Sequence, residues 1–142
     1  MEKERVTKMK VIVCIDDNGG MLFNKRRQSR DRKVLEDISL MTDKIWIHPF
    51  SEKLIAEGEV KFDYVAEEAF LEQAKEGEYC FVENMPLRPV VDKIEELIIY
   101  HWNRKYPADF KLDLPYKRWK KQSKEEFQGS SHEKITKERY QL

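Results

Sequence analysis

The sequence has few cysteines and no long apolar run, and each absence excludes a class of protein. Its 2 cysteines, Cys14 and Cys80, lie in separate apolar stretches and form no Cys-x-x-Cys pair. This placement indicates packed, reduced thiols rather than a disulfide or a zinc site. No stretch approaches the roughly 18 apolar residues that span a membrane, and residues 1–10 lack the apolar core of a signal peptide. We therefore expect a cytoplasmic protein with no membrane segment.

The sequence also has no excess of charge of either sign, since Lys+Arg and Asp+Glu both number 27. This balance argues against a globally basic nucleic-acid-binding protein, but it allows a local basic patch. The 142 residues, of which 40% are hydrophobic, are typical of one domain with a single core. We predict a flexible N-terminal tail over residues 1–9 and a single domain over residues 10–142. A homodimer stays open.

Strand-like and helix-like stretches alternate along most of the chain. The apolar run over residues 11–15 predicts a strand that is buried on both faces. Further strands are predicted over residues 45–47, 60–65, 79–82 and 97–102, and helices from Ser29 as N-cap, from Ser51 as cap, and over residues 67–75. This alternation predicts an α/β fold with a mostly parallel sheet and helices on both faces. The last forty residues read as a closing antiparallel ribbon.

This order of elements resembles the dihydrofolate reductase family. Residues 11–16 and 18–23 resemble the family's first strand and active-site loop, residues 31–47 its substrate-cleft helix and second strand, and residues 77–82 the strand before its cofactor loop. The resemblance implies a dihydrofolate-reductase-like fold with a ligand in the cleft between the 18–27 loop and the helix from Asp31. It also implies that Asp31 stands for the family's substrate carboxylate.

The resemblance implies NADPH as a cofactor, but the family's NADPH motifs are missing. The family has a glycine pair after the central strand, where the backbone approaches a pyrophosphate, and this chain has Glu83-Asn84 there. The family's Gly-Arg-x-Thr segment reads His48-Pro49-Phe50-Ser51 here. Because the carboxylate of Glu83 would repel phosphate, NADPH would need other contacts, and the cofactor stays unknown.

The candidate ligand-binding residues lie in the loops and the helix start around this cleft. They are Asp17, Asn24, Arg26, Arg27, Asp31, His48 and Glu83. Residues 25–33 include six Lys or Arg, which suits a phosphate, a nucleotide or an RNA backbone. The alternative is a solvated surface whose charges pair with neighbouring carboxylates.

Two carboxylate positions also allow a structural interpretation. Asp16 and Asp17, together with Glu83, end predicted strands and could hold a cation, although an Asx turn at Asp16-Asp17 is the simpler interpretation. Asp31 could bind a cationic or amide-bearing ring, or it could interact with the helix dipole. His132 follows two serines, but the nucleophile-elbow pattern is absent, so we expect a structural histidine. We predict no metal site and assign no catalytic residue.

Three functions are compatible with the sequence. The first is a protein that binds a small molecule or nucleotide in the cleft, and the second is an NAD(P)H-dependent reductase, with flavin as a variant. The third is an RNA-binding or RNA-processing protein that uses the basic segment, which a resemblance to short chains named ribonuclease Z also implies. Enzymes of that name bind zinc through a His-x-His-x-Asp-His cluster, and His48, His101 and His132 lack this spacing. Whether the chain is an enzyme stays open.

Overall fold

The structure of the protein is a computed structural model, which describes residues 7–141. Its strands are β1 (Met9–Ile15), β2 (Gly20–Phe23), β3 (Arg26–Arg27), β4 (Lys44–Ile47), β5 (Asp63–Ala66), β6 (Tyr79–Phe81), β7 (Ile94–His101), β8 (Phe110–Lys111), β9 (Lys120–Phe127) and β10 (Ile135–Gln141). Its helices are α1 (Arg32–Met41), α2 (Pro49–Glu57) and α3 (Phe70–Gln73), with 3-10 turns at Arg88–Lys93 and Tyr116–Arg118. The tail predicted over residues 1–9 lies largely outside the described residues, and β1 already begins at Met9.

A seven-stranded sheet has the strand order β5-β4-β6-β1-β7-β10-β9. β1 pairs in parallel with β6 and β7, and β4 pairs in parallel with β5 and β6. β10 runs antiparallel to β7 and β9. A separate small sheet has the order β3-β2-β8. The predicted α/β class, with a mostly parallel sheet and a C-terminal antiparallel ribbon, is confirmed.

The central strand β1 is buried on both faces, as its continuous apolar sequence predicts. Successive side chains of a strand point to opposite faces, so Val11 packs in one core and Ile12 in the other. Ile38 of α1 and Leu54 of α2 cover the face of Ile12, whereas Phe70 of α3 covers the face of Val11. Helices therefore lie on both faces of the sheet. Each fully buried side chain of this kind contributes about 1.5–3 kcal/mol to stability.

The start of α1 differs from the sequence prediction. Asp31, rather than Ser29, is the N-cap, and its carboxylate accepts the N–H of Lys33 at 2.9 Å. The hydroxyl of Ser29 instead lies 3.1 Å from Nε2 of His132. A carboxylate that reaches the second helical N–H group supplies the cap that a serine hydroxyl would otherwise supply. Asp31 therefore precedes the helix and does not lie in its first turn.

Other element boundaries also shift. His48 caps α2 through Nδ1, while Ser51, the predicted cap, is buried inside the helix. The helix predicted over residues 67–75 contracts to α3, because the N–H of Lys75 donates to the side chain of Glu78 instead of continuing the helix. The strand predicted over residues 60–65 begins at Asp63. Within residues 7–141, no helix is long and apolar enough to cross a membrane.

Candidate functional site

The candidate site lies at the carboxyl ends of the parallel strands β1, β4 and β6. Parallel strands end at the same edge of a sheet, where ligands of α/β proteins usually bind. Asp16 follows β1, His48 follows β4, and Glu83 comes two residues after the end of β6. The β2–β3 hairpin and the start of α1 approach this edge, and they bring Arg27 and Asp31 into contact with it.

Arg27 and Glu83 form an ion pair across this edge. Arg27 Nε and Nη2 each lie 2.7 Å from a carboxylate oxygen of Glu83, which is the bidentate geometry of a strong ion pair. Ser51 Oγ donates to Glu83 Oε1 at 2.7 Å. The hydrogen bond with Glu83 raises the pKa of the Arg27 guanidinium against the opposing effect of burial. Both oxygens of Glu83 are thus occupied by protein donors.

Arg27 and Glu83 line the cleft between the 18–27 loop and α1, which holds a cavity of about 20 Å³. One water molecule needs about 10–15 Å³ of such volume, so the closed cleft has room for a single water. Gln28 lines this cavity, and its Nε2 donates to Asp16 Oδ2 and to the carbonyl of Pro107. Its buried Oε1 has no hydrogen-bond partner among residues 7–141. A water in the cavity would satisfy this acceptor.

The N-terminus of α2 is closed by its own cap. Pro49 carries no N–H, the N–H of Phe50 donates to Nδ1 of His48 at 3.0 Å, and the N–H of Ser51 donates to the carbonyl of His48 at 2.9 Å. A helix N-terminus binds phosphate through free N–H groups. Because these groups are used and Ser51 places the Glu83 carboxylate beside them, the residues present do not fit a pyrophosphate at the position that the sequence resemblance implies for NADPH.

Asp31 has a buried carboxylate that accepts several hydrogen bonds. The N–H groups of Ser130 and Ser131 donate to it at 2.9 Å, in addition to the N–H of Lys33, and His132 Nδ1 lies 2.9 Å from Oδ2. Burial alone would raise the pKa of Asp31, but the hydrogen bonds from Ser130, His132 and Ser131 outweigh it and hold the pKa far below its usual range. Asp31 is therefore an ionised carboxylate that binds the loop between β9 and β10.

The ring of His132 is buried, with polar partners at both nitrogens and an aromatic ring against its face. Its other nitrogen, Nε2, lies 3.1 Å from Ser29 Oγ and 3.0 Å from the hydroxyl of Tyr106. Its face stacks on Trp102, with 4.6 Å between the ring centroids. Since the ionised Asp31 accepts from Nδ1, that nitrogen carries the proton in the neutral ring, and Nε2 is then a hydrogen-bond acceptor. The expected structural histidine thus also has an acceptor nitrogen beside a serine hydroxyl.

An open groove, which we call the α1–α2 groove, adjoins the closed cleft. Its volume is about 690 Å³, and it lies between α1, the end of α2 and the β9–β10 loop. Its cationic lining residues are Arg27, Arg30, Arg32 and Lys53. Leu35, Leu54 and Val60 supply apolar surface, and Asp31, Glu57 and Glu59 are its carboxylates. Binding pockets for small molecules are typically about 300–1,000 Å³, so this groove has the size that the closed cleft lacks.

The predicted candidate residues divide into two groups. Arg27, Asp31 and Glu83 line the same cavity. Asp17 is exposed after β1, and Asn24, whose N–H donates to Asp109, lies in the β2–β3 turn with Arg26 exposed nearby. His48 caps α2. These four residues do not line the cavity or the α1–α2 groove.

Asp16 adopts the Asx-turn geometry. Its Oδ1 accepts the N–H groups of Asn18 at 2.9 Å and Gly20 at 2.7 Å, and its Oδ2 accepts the N–H of Tyr106. These contacts hold the loop after β1 in place. Among residues 7–141, no cluster of three or more His, Cys, Asp or Glu has the arrangement of a metal site.

Sequence reasoning missed the residues that come from distant segments. Lys53 lines the α1–α2 groove, Ser51 binds Glu83, and Ser130 and Ser131 bind Asp31. The segment Gly-Ser-Ser-His over residues 129–132 was the available signal, because it combines small, amide-exposing residues with a histidine. Nothing in the local sequence indicates that its partner is a carboxylate about a hundred residues earlier.

The sheet order, the ribbon and the position of the cleft define a protein with the dihydrofolate reductase fold. A solved structure of dihydrofolate reductase from Enterococcus faecalis, complexed with NADP(H) and RAB-propyl, matches this chain with a TM-score of 0.66. The match covers 94% of this chain and 95% of that chain at 9% sequence identity, so it shows the fold alone. No protein-family model matches the sequence, and no curated protein matches it.

Proposed function

We propose that the protein binds a small anionic molecule, of the nucleotide or phosphorylated-metabolite class, in the α1–α2 groove. The observation that carries the proposal is the pair of exposed cations Arg30 and Lys53. Both line the groove, and neither belongs to an ion pair within residues 7–141. The groove's other two cations are engaged, Arg27 by Glu83 and Arg32 by Glu36 and Glu59. Arg30 and Lys53 are therefore the charges left to bind a ligand.

The remaining surface of the groove supports the same class of ligand. Leu35 and Leu54 are largely buried and form apolar floor beside the cations. A nucleotide combines an apolar ring with a phosphate, so its two parts match the two kinds of lining. The carboxylate of Asp31 already accepts protein donors, which limits its repulsion of an anion.

Thermal melting with a panel of ligands tests the proposal. The panel contains inorganic pyrophosphate, NADPH, NADP, folate and a short RNA. A ligand at 100 times its dissociation constant stabilises the folded state by about 2.7 kcal/mol, which raises the midpoint of a domain of this size by several degrees. We expect a shift with pyrophosphate or a nucleotide in the wild type and its loss in the double variant R30Q/K53Q. The control is R118Q, which removes an exposed cation outside the groove.

Each outcome decides between the functions. The absence of a shift with every anionic ligand would refute the proposal, and an equal shift in R30Q/K53Q and wild type would refute the location. A shift with NADPH alone would favour the reductase, with contacts other than the family's motifs. The closed N-terminus of α2 and the Glu83 carboxylate argue against that result.

RNA binding is a second candidate, and a different surface supports it. Phe23 is 42% exposed, and with Arg26 and Tyr106 it lines a shallow depression of about 560 Å³. Aromatic and cationic side chains side by side suit a single-stranded nucleic acid. A shift with RNA that disappears steeply with added salt and is lost in R26Q would favour this function, because phosphate contacts release counterions.

A further inference from the structure

We propose that Ser29 is a nucleophile for acyl transfer, with His132 as its general base and Asp31 as the residue that positions the base. The inference goes beyond the anion-binding function and does not depend on it. Ser29 Oγ lies 3.1 Å from His132 Nε2, and His132 Nδ1 lies 2.9 Å from Asp31 Oδ2. A hydroxyl, an imidazole and a carboxylate joined in this order are recognised by geometry and not by chain position.

The protonation pattern suits a base that accepts the serine proton. Asp31 is ionised, since its donors hold its pKa far below the usual range. It therefore accepts from Nδ1–H and leaves the lone pair of Nε2 for a hydroxyl. The hydroxyl of Tyr106 lies 3.0 Å from the same nitrogen and shares this lone pair with Ser29. The carboxylate also stabilises the imidazolium that forms when Nε2 takes a proton.

The base is rigidly held, as a catalytic group must be. The ring of His132 stacks on Trp102 at an interplanar angle of 19°, and the residue is 4% exposed. Asp31 is fixed in turn by the N–H groups of Ser130 and Ser131. Packing and hydrogen bonds around the functional groups restrict them to one geometry. An arrangement held this firmly has its reacting atoms in place before substrate arrives.

Ser29 lies in the small cavity beside the α1–α2 groove, and a substrate would approach it from that groove. The residue is half-buried and lines the water-sized cavity, while its neighbours Arg30 and Asp31 line both that cavity and the α1–α2 groove. Arg30 lines the cavity with it, and, unlike Arg27, which Glu83 engages, it belongs to no ion pair within residues 7–141, so its guanidinium is the charge available to the carbonyl oxygen of an ester. Fixed positive charge stabilises the oxyanion that develops there.

The reaction is hydrolysis of a small carboxylic ester in two steps. In the first, Ser29 Oγ attacks the carbonyl carbon, its proton moves to His132 Nε2, and the leaving alcohol departs with that proton as the C–O bond breaks. In the second, water attacks the acyl-serine, gives a proton to Nε2, and releases the carboxylic acid as Ser29 regains its proton. Both steps conserve electrons and atoms, and water is the sole co-reactant.

An uncharged fluorophosphonate probe and p-nitrophenyl acetate test the proposal on the full chain. We expect the probe to label the wild type at Ser29, as located by peptide mass spectrometry, and S29A to lose both the label and at least about 10²-fold of the ester hydrolysis. S123A, which removes a hydroxyl on β9, is the matched control and should behave as wild type. Melting curves show that each variant is folded.

Three results would overturn the inference: a folded wild type without label, a label on another residue, or S29A that hydrolyses ester at the wild-type rate. Both reagents are uncharged, so they do not rely on Arg30 and Lys53 as an anion site. Loss of the pyrophosphate or nucleotide shift therefore tests the proposed function separately from loss of label, which tests Ser29.

Discussion

Glu83 follows a parallel strand and is largely buried. Removing its charged carboxylate from water costs free energy unless protein groups compensate it. It is 9% exposed, and Arg27 and Ser51 donate to its two oxygens. An ion pair of this kind is stable as a pair, whereas the loss of one partner leaves a buried charge without compensation. The sequence suggested repulsion of phosphate at this position, and the contacts add that both carboxylate oxygens already accept protein donors.

A double-mutant cycle on Arg27 and Glu83 should reveal strong coupling. We expect R27Q and E83Q each to lower the free energy of unfolding by about 2–4 kcal/mol, because each leaves its partner unpaired. The double variant should cost clearly less than the sum, with a coupling energy of about 1–3 kcal/mol. Urea denaturation of the four proteins measures it.

The control cycle uses Lys124 and Glu126, an exposed pair whose charged atoms are 3.8 Å apart. Its coupling should stay at or below about 1 kcal/mol, as is usual for surface pairs. If the two cycles gave the same coupling, or if R27Q and E83Q were additive, Arg27 and Glu83 would not form the strong, largely buried ion pair that their geometry indicates.

At the scale of elements, the loop between β9 and β10 is attached to the start of α1. The N–H of Gly129 donates to the carbonyl of His132 at 3.0 Å, which folds the loop, and the next two N–H groups donate to Asp31. The same carboxylate caps α1 through Lys33. One side chain therefore joins the C-terminal ribbon to the first helix. This attachment also sets the position of His132 beside Ser29.

The loop should not accept a larger residue at position 129. A Cβ at Gly129 would lie 2.4 Å from Oδ2 of Asp31 and 2.9 Å from the carbonyl of His132, so one of them must move. We expect G129A to destabilise the protein by about 3 kcal/mol, which is typical of forced overpacking. Urea denaturation gives the value.

The matched control is G77A. Gly77 has φ of +74° and no atom within 4 Å of an added Cβ, so alanine there meets backbone strain of about 1 kcal/mol without a clash. Equal costs at the two positions would contradict the idea that the Asp31 contact fills the space beside Gly129. Ester hydrolysis by G129A should also be slower than in wild type, because the same loop attachment sets the position of His132 beside Ser29. It is measured at a temperature where G129A is folded.

The elements whose signal is local could be predicted from the sequence, whereas the site depended on contacts between distant segments. The alternation of strand-like and helix-like stretches predicted the sheet and both helical layers, and the pattern of the last forty residues predicted the ribbon. The helix caps were wrong at α1 and α2, because Asp31 and His48 supply the caps while the hydroxyls of Ser29 and Ser51 contact His132 and Glu83. The pairs that shape the site are 56 residues apart for Arg27 and Glu83 and 101 residues apart for Asp31 and His132. No local pattern encodes such pairings.

Across the whole molecule, several carboxylates are held ionised by the fold. Burial would raise the pKa of Asp16, Asp31, Glu78 and Glu138, but in each case hydrogen bonds or ion pairs outweigh it, and the pKa is lowered. Backbone N–H groups act at Asp16 and Asp31, whereas Lys121 and His101 act at Glu138. These groups lie on different strands and loops, so acid weakens the molecule as a whole rather than at one place.

The free energy of unfolding should therefore decrease in acid, and the loss of the ionised Asp31 should account for a measurable share of that decrease. A carboxylate with a lowered pKa in the folded state stabilises fully above the usual value, 3.8 for Asp and 4.5 for Glu. That stability is lost as the pH falls through the folded-state pKa, because the unfolded chain binds more protons. We expect the free energy of unfolding to decrease steadily below about pH 4.5. In D31N, the free energy of unfolding should depend less steeply on pH, by the amount that corresponds to the uptake of about one proton on unfolding.

Urea denaturation at a series of pH values from neutral to 3 measures both slopes. At neutral pH, D31N should be less stable by about 3 kcal/mol, since it removes a buried charged acceptor. The two proteins should converge as the pH falls below about 4, because the unfolded wild-type chain takes up a proton at Asp31 while the folded protein keeps this carboxylate ionised. D92N, which removes an exposed carboxylate outside this network, is the matched control for the loss of one charge. Parallel curves for D31N and wild type down to pH 3 would mean that folding does not lower the pKa of Asp31. They would also mean that the hydrogen bonds from Ser130, Ser131 and His132 do not favour the ionised form of this carboxylate.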